Sequence, residues 1–492
     1  MQQRFIRILT LLLLFCPVLR AQRVLTLEEC RRLALSNNKT LAYSRANKDV
    51  AYNTRKAAET NYMPKVQAVA GYVHTGKEIS LLSRETKRVF NTAGSRLVAN
   101  VSQQAQAILQ KYPDLAPLLG GATSALSTIE QTLNGVGHDV VKAFASDNRN
   151  ILAGSVLLTQ PLYMGGKIRA YNKITNYLED VAEYKLQADE QEVLLETDQA
   201  YWQVVSLRHK YELAVKYRAT LQKLDDDVQK MIREGVATKA QALQVGVKLN
   251  EADMLITKVE DGMVLSRMLL CQLTGLSLDE DIRTADEQKE DLSVDENDVK
   301  ADTDMALALR PELQQLERAV DIYDQKVNIA RSEFLPQLAA TGGYMISNPN
   351  LYDGFQKKFG GTWSVGLTFK TPIWNWGEGK YKIRAAKAEA QMARYQLDEI
   401  REKVTLQVTQ NAYRVNEANK KLRQARKNME KAEENLRIAN LGYREGVMTM
   451  TEVLSAETAW LDAHSEKIDA EVDIMITRAT LSKAMGTLTQ VQ

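Results

Sequence analysis

Apolar and polar residues alternate most strictly in the segment GTWSVGLTFKTPI at 361–373. A period of two residues places one apolar and one polar face on a β-strand. Weaker versions occur at 64–76, 151–162 and 336–347, so we predict four strands of about ten residues, which is the length of a membrane-spanning strand. Tyr163, Trp374 and Trp376 follow two of these strands, as interfacial aromatic residues do. A small soluble sheet with one face on a core is the alternative.

The remaining pattern predicts unusually long helices. No proline or internal glycine interrupts 167–233, and the segment 377–445 repeats this composition with glycines only near its ends. At 1.5 Å per residue, each segment is a helix of roughly 100 Å. Apolar residues in the second helix recur in steps of three and four, which indicates a coiled-coil seam. Its members are Val415, Ala418, Leu422, Ala425, Met429, Ala432, Leu436, Ala439 and Tyr443.

The chain contains an internal duplication. The sequence REGV stands at 233–236 and at 444–447, an offset of 211 residues that also relates Pro161 to Pro372. A second offset of 272 residues relates Pro64 to Pro336, and 33–41 to 305–313. We therefore predict a first repeat at 22–275, an acidic, solvated linker at 276–303, and a second repeat at 304–492. The first repeat carries an insertion of about 61 residues near 77–148, with two short amphipathic helices. Each repeat is expected to begin with one unbroken helix, at 27–62 and 304–335.

The first 21 residues have the character of a secretory signal, with Arg4 and Arg7 before the apolar run 8–15. Cys16 leaves open an alternative in which the exported chain is lipidated. No other segment has about 20 consecutive apolar residues, so we predict no transmembrane helix. The chain is then exported, and is either soluble or held in a membrane by β-structure.

The balance of charges and the lack of catalytic or metal-binding motifs exclude several functions. Lys and Arg number 64 against 62 Asp and Glu, which gives no electrostatic case for a nucleic-acid partner. The four histidines have no metal-ligand spacing, and no catalytic grouping or phosphate loop occurs, so neither a metal, a cofactor nor an enzyme activity is expected. Cys30 and Cys271 are either two buried small hydrophobic residues, which we favour, or a disulfide pair.

Taken together, these motifs resemble the outer-membrane efflux protein family, the TolC-like channels. The resemblance covers the mature chain and rests on ALSNNKTL and ALRPEL, QPLYMGGK and TPIWNWGEGK, the paired glycine turns, and LTG and AMG at the helix ends. It implies a mixed α+β membrane protein in the outer membrane. Three chains, each giving four strands, would share a twelve-stranded β-barrel above a coiled-coil tunnel in the periplasm, with 276–303 at its equator.

The family also implies partners. Such a homotrimer is the exit duct of a tripartite efflux pump or a type I secretion system, joined to an inner-membrane pump through a periplasmic adaptor. A soluble periplasmic coiled-coil adaptor is the alternative from the sequence. Adaptor docking is expected at the two turns, for which a plain helix hairpin is the structural alternative. These docking tips comprise Gly235, Val236, Thr238, Gly446, Val447 and Thr449.

The resemblance places a constriction just after the second turn. Glu452 matches an acidic position of the family gate and Tyr443 a tyrosine of the same constriction. Ser455 stands at the second acidic position, Met448 at a basic one, and Gln241 occupies the equivalent place in the first repeat. Three Glu452 carboxylates near a three-fold axis would raise some of their own pKa values. A solvated glutamate on a helix face is the alternative. The insertion is expected to be extracellular, where it forms a surface cap or packs against neighbouring loops; a receptor for a specific ligand is the less favoured alternative.

Overall fold

The computed structural model describes residues 23–74, 88–90, 92–111, 116–143, 150–289, 291–292, 294–350, 352–353 and 357–490. The predicted signal segment at 1–21, with Cys16, lies outside these ranges, as do parts of the insertion. Among the described residues, no helix is both long and apolar enough to cross a membrane.

Two helices of 67 residues each dominate the chain, α5 (Lys167–Arg233) and α9 (Glu378–Arg444). Each is followed by a helix of about half that length, α6 (Lys239–Thr274) and α10 (Met450–Ala484). The predicted coiled-coil seam of α9 is confirmed, because its alanines and its leucine at 422 are buried while most residues between them are exposed. The absence of proline and the 3,4 spacing were therefore sufficient to locate these helices.

The prediction of one unbroken helix at the start of each repeat is wrong. The first is divided into α1 (Leu27–Asn37) and α2 (Lys39–Glu59), and the second into α7 (Thr303–Leu309) and α8 (Pro311–Ser332). Asn38 has extended backbone angles, and its side-chain oxygen accepts a hydrogen bond of 2.8 Å from the Thr40 amide. Arg310 is extended too, as expected for a residue that precedes a proline. The two breaks are 272 residues apart, so the duplication includes them.

The acidic linker is more ordered than predicted. Its strand β4 (Ile282–Thr284) pairs in parallel with β1 (Arg23–Leu25), a short strand that the sequence pattern did not indicate. Ile282 and Leu292 are buried in a core that also holds Tyr201, whose hydroxyl donates a 2.6 Å hydrogen bond to Asp286. A segment that carries buried apolar residues is not a solvated loop, so that part of the prediction is wrong.

The four predicted strands are confirmed and form one antiparallel sheet in the order β2-β3-β5-β6. They comprise β2 (Lys65–His74), β3 (Asn150–Met164), β5 (Gln337–Asn348) and β6 (Gly360–Lys370). Strand β3 lies between β2 and β5, while β2 and β6 are the two edges. The insertion between β2 and β3 contains the predicted helices, as α3 (Ala93–Lys111) and α4 (Ala116–Ala143).

Two compact units divide the chain, and each takes residues from both predicted repeats. One contains 1–48, 181–316 and 396–492, and the other contains 49–180 and 317–395, including the sheet. Cys30 and Cys271 are buried free thiols in the first unit, and burial raises the pKa of Cys30 to about 12. Their interpretation as buried small hydrophobic residues is confirmed. The repeat boundaries at 22–275, 276–303 and 304–492 stay predictions.

Candidate functional site: helix turns and sheet faces

The two REGV turns have the same backbone geometry. Gly235 has φ +79° and Gly446 has φ +73°, the left-handed region that favours glycine. The Val236 amide donates to the Met231 carbonyl at 2.9 Å, and the Val447 amide donates to the Gly442 carbonyl at 2.8 Å. The Gly235 and Gly446 amides each donate to the carbonyl of the residue three positions earlier. Together with the valine hydrogen bonds, these contacts form a Schellman motif at the end of both helices and satisfy carbonyl groups of the last helical turn.

Each turn exposes an apolar side chain at its end. Val236 is 69% exposed and Val447 is 79% exposed. Neither valine contributes to the core beneath the turns, whose buried members come from all four helices, α5, α6, α9 and α10. Exposed valine at the same place in two copies of a turn is consistent with a contact surface.

The helices that leave the turns begin with reciprocal caps. Thr238 and Thr449 are the N-cap residues, as predicted. The Thr449 amide donates to a Glu452 carboxylate oxygen at 2.6 Å, and the Glu452 amide donates back to the Thr449 hydroxyl at 3.3 Å. The Thr238 amide donates in the same way to the Gln241 side-chain oxygen at 2.7 Å. Glu452 and Gln241 therefore occupy equivalent capping positions.

This geometry changes the interpretation of Glu452. The hydrogen bonds from Thr449, that of its backbone amide first, lower the pKa of the Glu452 carboxyl below its ordinary value. Within one chain, the cap therefore favours the charged form of the Glu452 carboxylate. This effect is opposite to the expected repulsion between three copies, which would raise the pKa. A gate role for Glu452 remains a prediction. A gate contact of its side chain would have to compete with the hydrogen bonds from Thr449.

The other predicted gate residues differ in burial. Tyr443 is buried in the core beneath the turns, and burial raises its pKa. Its hydroxyl has no hydrogen-bond partner among the residues that the structure describes. Met448 packs on Gly442, where an added Cβ would lie 2.8 Å from its Cγ. Ser455 is exposed on α10. Tyr443 and Ser455 do not share a hydrogen bond with Glu452, whose side chain bonds Thr449.

A buried carboxylate near Tyr443 escaped the sequence analysis. Glu457 is 1% exposed, and among the described residues its carboxylate has no ion-pair partner and only a weak interaction with Asn440. It lines a cavity of about 410 Å³ together with Tyr443 and with charged residues from two helices. These charged residues are Lys223 and Asp227 of α5 and Arg437 and Arg444 of α9. Burial raises the pKa of Glu457 to about 7, against a smaller opposite effect of Asn440.

One signal could have revealed Glu457. The core-facing seam of α10 runs in steps of three and four from Met450, and polar residues occupy several of its positions. They are Glu457, His464, Lys467 and Glu471. Glu471 is equally buried but has a partner, because Lys467 lies 3.2 Å from its carboxylate. A charged residue in an apolar seam lowers stability unless it is paired, so Glu457 is the exceptional member.

The sheet has two chemically different faces. Val365 is 77% and Leu367 is 71% exposed, and Trp363 and Phe369 extend from the same face of β6. By strand register, Tyr72, Val156 and Tyr344 lie on that face too and are exposed. We call this set the apolar sheet face. The opposite face of β6 carries Thr362, Ser364, Gly366 and Thr368.

The predicted interfacial aromatic residues are exposed. Tyr163 lies in the irregular end of β3, where the register shifts after Pro161. Trp374 and Trp376 follow β6, with ring centroids 5.7 Å apart in an edge-to-face arrangement. Trp376 has φ +53°, although it is not a glycine. Together they give the exposed apolar surface an aromatic border at the end of the strands that leads to the long helices.

The described ranges contain no group of three His, Cys, Asp or Glu side chains that could hold a metal ion.

Comparisons with known proteins agree with this architecture. Residues 303–487 match the family model described as outer membrane efflux protein. Alkaline protease secretion protein AprF of Pseudomonas aeruginosa is 25% identical over 340 residues, which are 67% of this chain and 69% of that protein.

Solved structures show the same fold. The outer-membrane channel OprN has a TM-score of 0.71 at 17% identity, over 94% of this chain and 90% of its own. The outer membrane protein VceC from Vibrio cholerae has a TM-score of 0.69 at 14% identity, over 94% and 96%. The MtrE outer membrane channel of Neisseria gonorrhoeae has a TM-score of 0.67 at 17% identity, over 94% and 89%. These structures show the fold, and the match of residues 303–487 to the family model bears out the resemblance seen in the sequence.

Proposed function

We infer that this chain, whose residues 303–487 match the outer membrane efflux protein family, is the exit duct through which an inner-membrane transporter passes its cargo out of the cell. The family match and the fold carry the general function. The single observation that carries the membrane role is the apolar sheet face, where residues such as Leu367 are exposed along a strand of bilayer length. Such a surface is stable against lipid and unfavourable in water. The chain acts by conduction and not as an enzyme.

Closure of the sheet requires other copies of the chain. A membrane tolerates no open strand edge, and this sheet ends in the edges β2 and β6. Along the antiparallel order, β6 runs opposite to β2. The β6 edge of one copy can therefore pair with the β2 edge of the next in an antiparallel ladder, and the ring stays antiparallel throughout. Three copies make the twelve-stranded barrel, with the long helices in the periplasm.

The turns are the adaptor-docking surface in this proposal. Val236 and Val447 present an exposed apolar group on a backbone that glycine, turn bonds and caps hold rigid. Three copies place six such turns around one mouth, where a periplasmic adaptor of an inner-membrane pump docks. Rigid apolar contacts cost little conformational entropy on binding, which favours this use.

The gate lies just beyond the second turn. Glu452 and Ser455 narrow the tunnel from the exposed face, and Tyr443 supports them from the core beneath the turns. Gln241 is the uncharged counterpart of Glu452 after the first turn. The cap keeps Glu452 charged, so three copies form a ring of carboxylates that attracts cations. Replacement of Glu452 by Ala should raise single-channel conductance or change cation block in planar bilayers. An unchanged conductance and block would remove Glu452 from the gate.

The membrane role is tested by a charge placed on each sheet face. Leu367→Arg puts a guanidinium on the apolar sheet face, at a cost of about 2–4 kcal/mol near the bilayer centre. Ser364→Arg is the matched control, three residues away on the opposite face of the same strand. We expect Leu367→Arg to lower the amount of protein in the outer-membrane fraction more than Ser364→Arg does. Equal outer-membrane levels of both variants would contradict the assignment of the faces.

The docking proposal has a separate test in whole cells. A photoreactive crosslinker attached at Val447→Cys should recover a periplasmic adaptor and its pump, while the same crosslinker at the exposed Gln103→Cys of the insertion should not. Absence of any adaptor from the Val447 products, in cells where the channel is folded in the outer membrane, would end the docking proposal. It would leave the channel assignment intact.

A further inference from the structure

One carboxylate interrupts the apolar core beneath the two helix turns. Glu457 follows Met450 by seven residues and Val453 by four, which places the three side chains on one face of α10. All three are buried, and Met450 and Val453 pack with residues of α5, α6 and α9. An apolar side chain at this position would fill the core without the cost of burying a carboxylate. Stability therefore does not account for Glu457.

The carboxylate of Glu457 is sealed from water and has no counter-charge among the described residues. Both of its oxygens are buried, and Asn440 opposes the effect of this burial weakly. Glu471, on the same helix, is just as buried, but Lys467 lies 3.2 Å from its carboxylate. A carboxyl group that is buried without such a partner is more stable in its neutral, protonated form. The packing around Glu457 is therefore suited to a carboxyl that keeps its proton.

Charged groups of two neighbouring helices line the cavity of about 410 Å³ beside Glu457. They are Lys223 and Asp227 of α5 and Arg437 and Arg444 of α9. Arg437 already has a partner, since its Nε lies 2.7 Å from a Glu434 carboxylate oxygen. Asp227 also has one, because Lys230 lies 3.1 Å away. The other two form no ion pair within the part of the chain that the structure describes, so they are available as counter-charges.

The other titratable groups around Glu457 offer it no unpaired positive charge in the described ranges. Lys248 of α6 is paired with Glu251 at 2.7 Å. His464, two turns further along the core face of α10, lies 3.0 Å from Glu433, and burial lowers its pKa. Two neutral hydroxyls complete the surroundings, those of Tyr217 and Tyr443. An ionised Glu457 is therefore balanced from the cavity or by water.

Loss of the proton requires the start of α10 to move. A carboxylate charge needs water or a counter-charge, and the packed arrangement closes both oxygens of Glu457 off from the cavity. α10 contains neither glycine nor proline from Met450 to Ala484, so no residue in it favours a local bend. Glu457 therefore reaches water, Lys223 or Arg444 when the helix moves away from α5 and α9.

The residues of the proposed gate lie on the same helix and move with it. Successive residues of an α-helix are about 100° apart, so Glu452 and Ser455 lie about 140° and about 160° around α10 from Glu457. Both are exposed, while Glu457 faces the core. A displacement of the core-facing side therefore changes the position of the side that narrows the mouth.

We propose that Glu457 is a proton-operated latch: the protonated carboxyl holds α10 against α5 and α9 with the mouth narrow, and its ionisation releases the helix and widens the mouth. The proton passes to water in the adjacent cavity, and Lys223 and Arg444 balance the charge that remains. This inference rests on the proposed channel and its gate. It adds the pH on the periplasmic side as an input to that gate.

The strength of the latch follows from the proton affinities of the two states. Burial raises the pKa of Glu457 from 4.5 to about 7, and in the released helix, where water reaches the carboxylate, the pKa returns toward 4.5. The narrow state holds the proton more tightly, so it is favoured at low pH and loses this advantage as the pH rises through about 7. For complete release, the equilibrium constant for widening is up to roughly 70-fold larger at pH 8 than at pH 5.

The test compares the wild type and two variants in planar bilayers at pH 5 and pH 8. Glu457→Gln keeps the shape of the side chain and cannot ionise, so it should stay in the narrow state at both pH values. Glu466→Gln removes one carboxylate from the exposed side of the same helix and is the matched control. A spin label at the exposed Ala459→Cys gives the distances between copies at both pH values. The buried Cys30 and Cys271 should keep background labelling low.

We expect the equilibrium constant between the high-conductance and low-conductance states of the wild type to rise by roughly tenfold or more from pH 5 to pH 8, and the distances between labels to increase with it. Glu466→Gln should follow the wild type, and Glu457→Gln should lose both changes. The same pH dependence in Glu457→Gln and the wild type, or conductance that changes while the distances do not, would overturn the latch alone. Absence of conductance steps from every version, each of them a folded trimer in detergent, would overturn the channel function on which it rests.

Discussion

The buried carboxyl of Glu457 makes stability depend on pH in a direction that one substitution should abolish. The folded chain raises its pKa from 4.5 to about 7, chiefly by burial. A raised pKa means that the folded state holds the proton more tightly than the unfolded state. The contribution to stability is therefore fully present below about pH 4.5 and is lost as the pH rises through about 7.

The size of this effect follows from the shift. A change from 4.5 to about 7 corresponds to about 3 kcal/mol, at about 1.4 kcal/mol per pH unit. Glu457→Gln keeps the shape and cannot ionise. We expect the variant to match the wild type near pH 4.5 and to be more stable by up to about 3 kcal/mol at pH 8. Chemical unfolding of the detergent-solubilised protein at several pH values measures the difference.

Glu452→Gln is the matched control on the same helix. Its cap lowers the pKa of Glu452, so the contribution of that carboxylate has the opposite sign and is lost as the pH falls. Gln241 shows that glutamine serves in the same capping position. A Glu457→Gln variant whose stability differs from the wild type by the same amount at pH 4.5 and pH 8 would refute the reasoning, because the carboxyl would then not titrate in this range.

Three further tests, two of them with a matched control variant, probe the helix turns and the core. Gly446→Ala should destabilise the turn by about 1 kcal/mol or more, because the φ of Gly446 is +73°. Gly246 lies inside α6 with open space around it, so Gly246→Ala should stabilise the protein by about 0.5–1 kcal/mol. Thermal unfolding that ranks the two variants the other way would contradict this. Thr449→Ala should lower the free energy of unfolding by about 1 kcal/mol, because the helix cap is lost. Thr449→Ser keeps a hydroxyl at the cap and should lower it much less. Equal unfolding midpoints for the two variants would argue against the cap. Arg31→Ala should lower the free energy of unfolding by about 3–5 kcal/mol, because buried Asp198 accepts two hydrogen bonds from Arg31 and would lose both. A loss below about 1 kcal/mol in denaturant unfolding would show that this pair behaves as an exposed ion pair.

The fold was predictable where a single period governs a long segment. The alternation around Leu367 located β6, and the heptad around Leu422 located α9, because each repeats one geometric rule many times. The break at Asn38 was missed because one polar residue interrupts an otherwise helical pattern, whereas the break at Arg310 was missed although Pro311 after it signals one. Strand β1 was missed because three residues carry no periodic signal and form only by pairing with β4.

The candidate site was predictable to the extent that glycine and caps determine it. Gly235 and Gly446 were found because their turns are repeated, and Thr449 because a threonine just after such a turn is a preferred cap for the returning helix. The engagement of Glu452 by its own cap was not anticipated, since the family position suggested only a charge near an axis. The location of the insertion depends on contacts such as Leu97 with Gly71, which are distant in the pattern and become apparent only in the fold.

The central claim is that three copies of this chain share one channel through the outer membrane. Native mass spectrometry of the detergent-solubilised protein, followed by planar-bilayer recording of the same preparation, tests it directly. The account predicts a complex of three chains that inserts and gives stepwise ion conductance. A single chain that stays soluble without detergent and gives no conductance steps would contradict it.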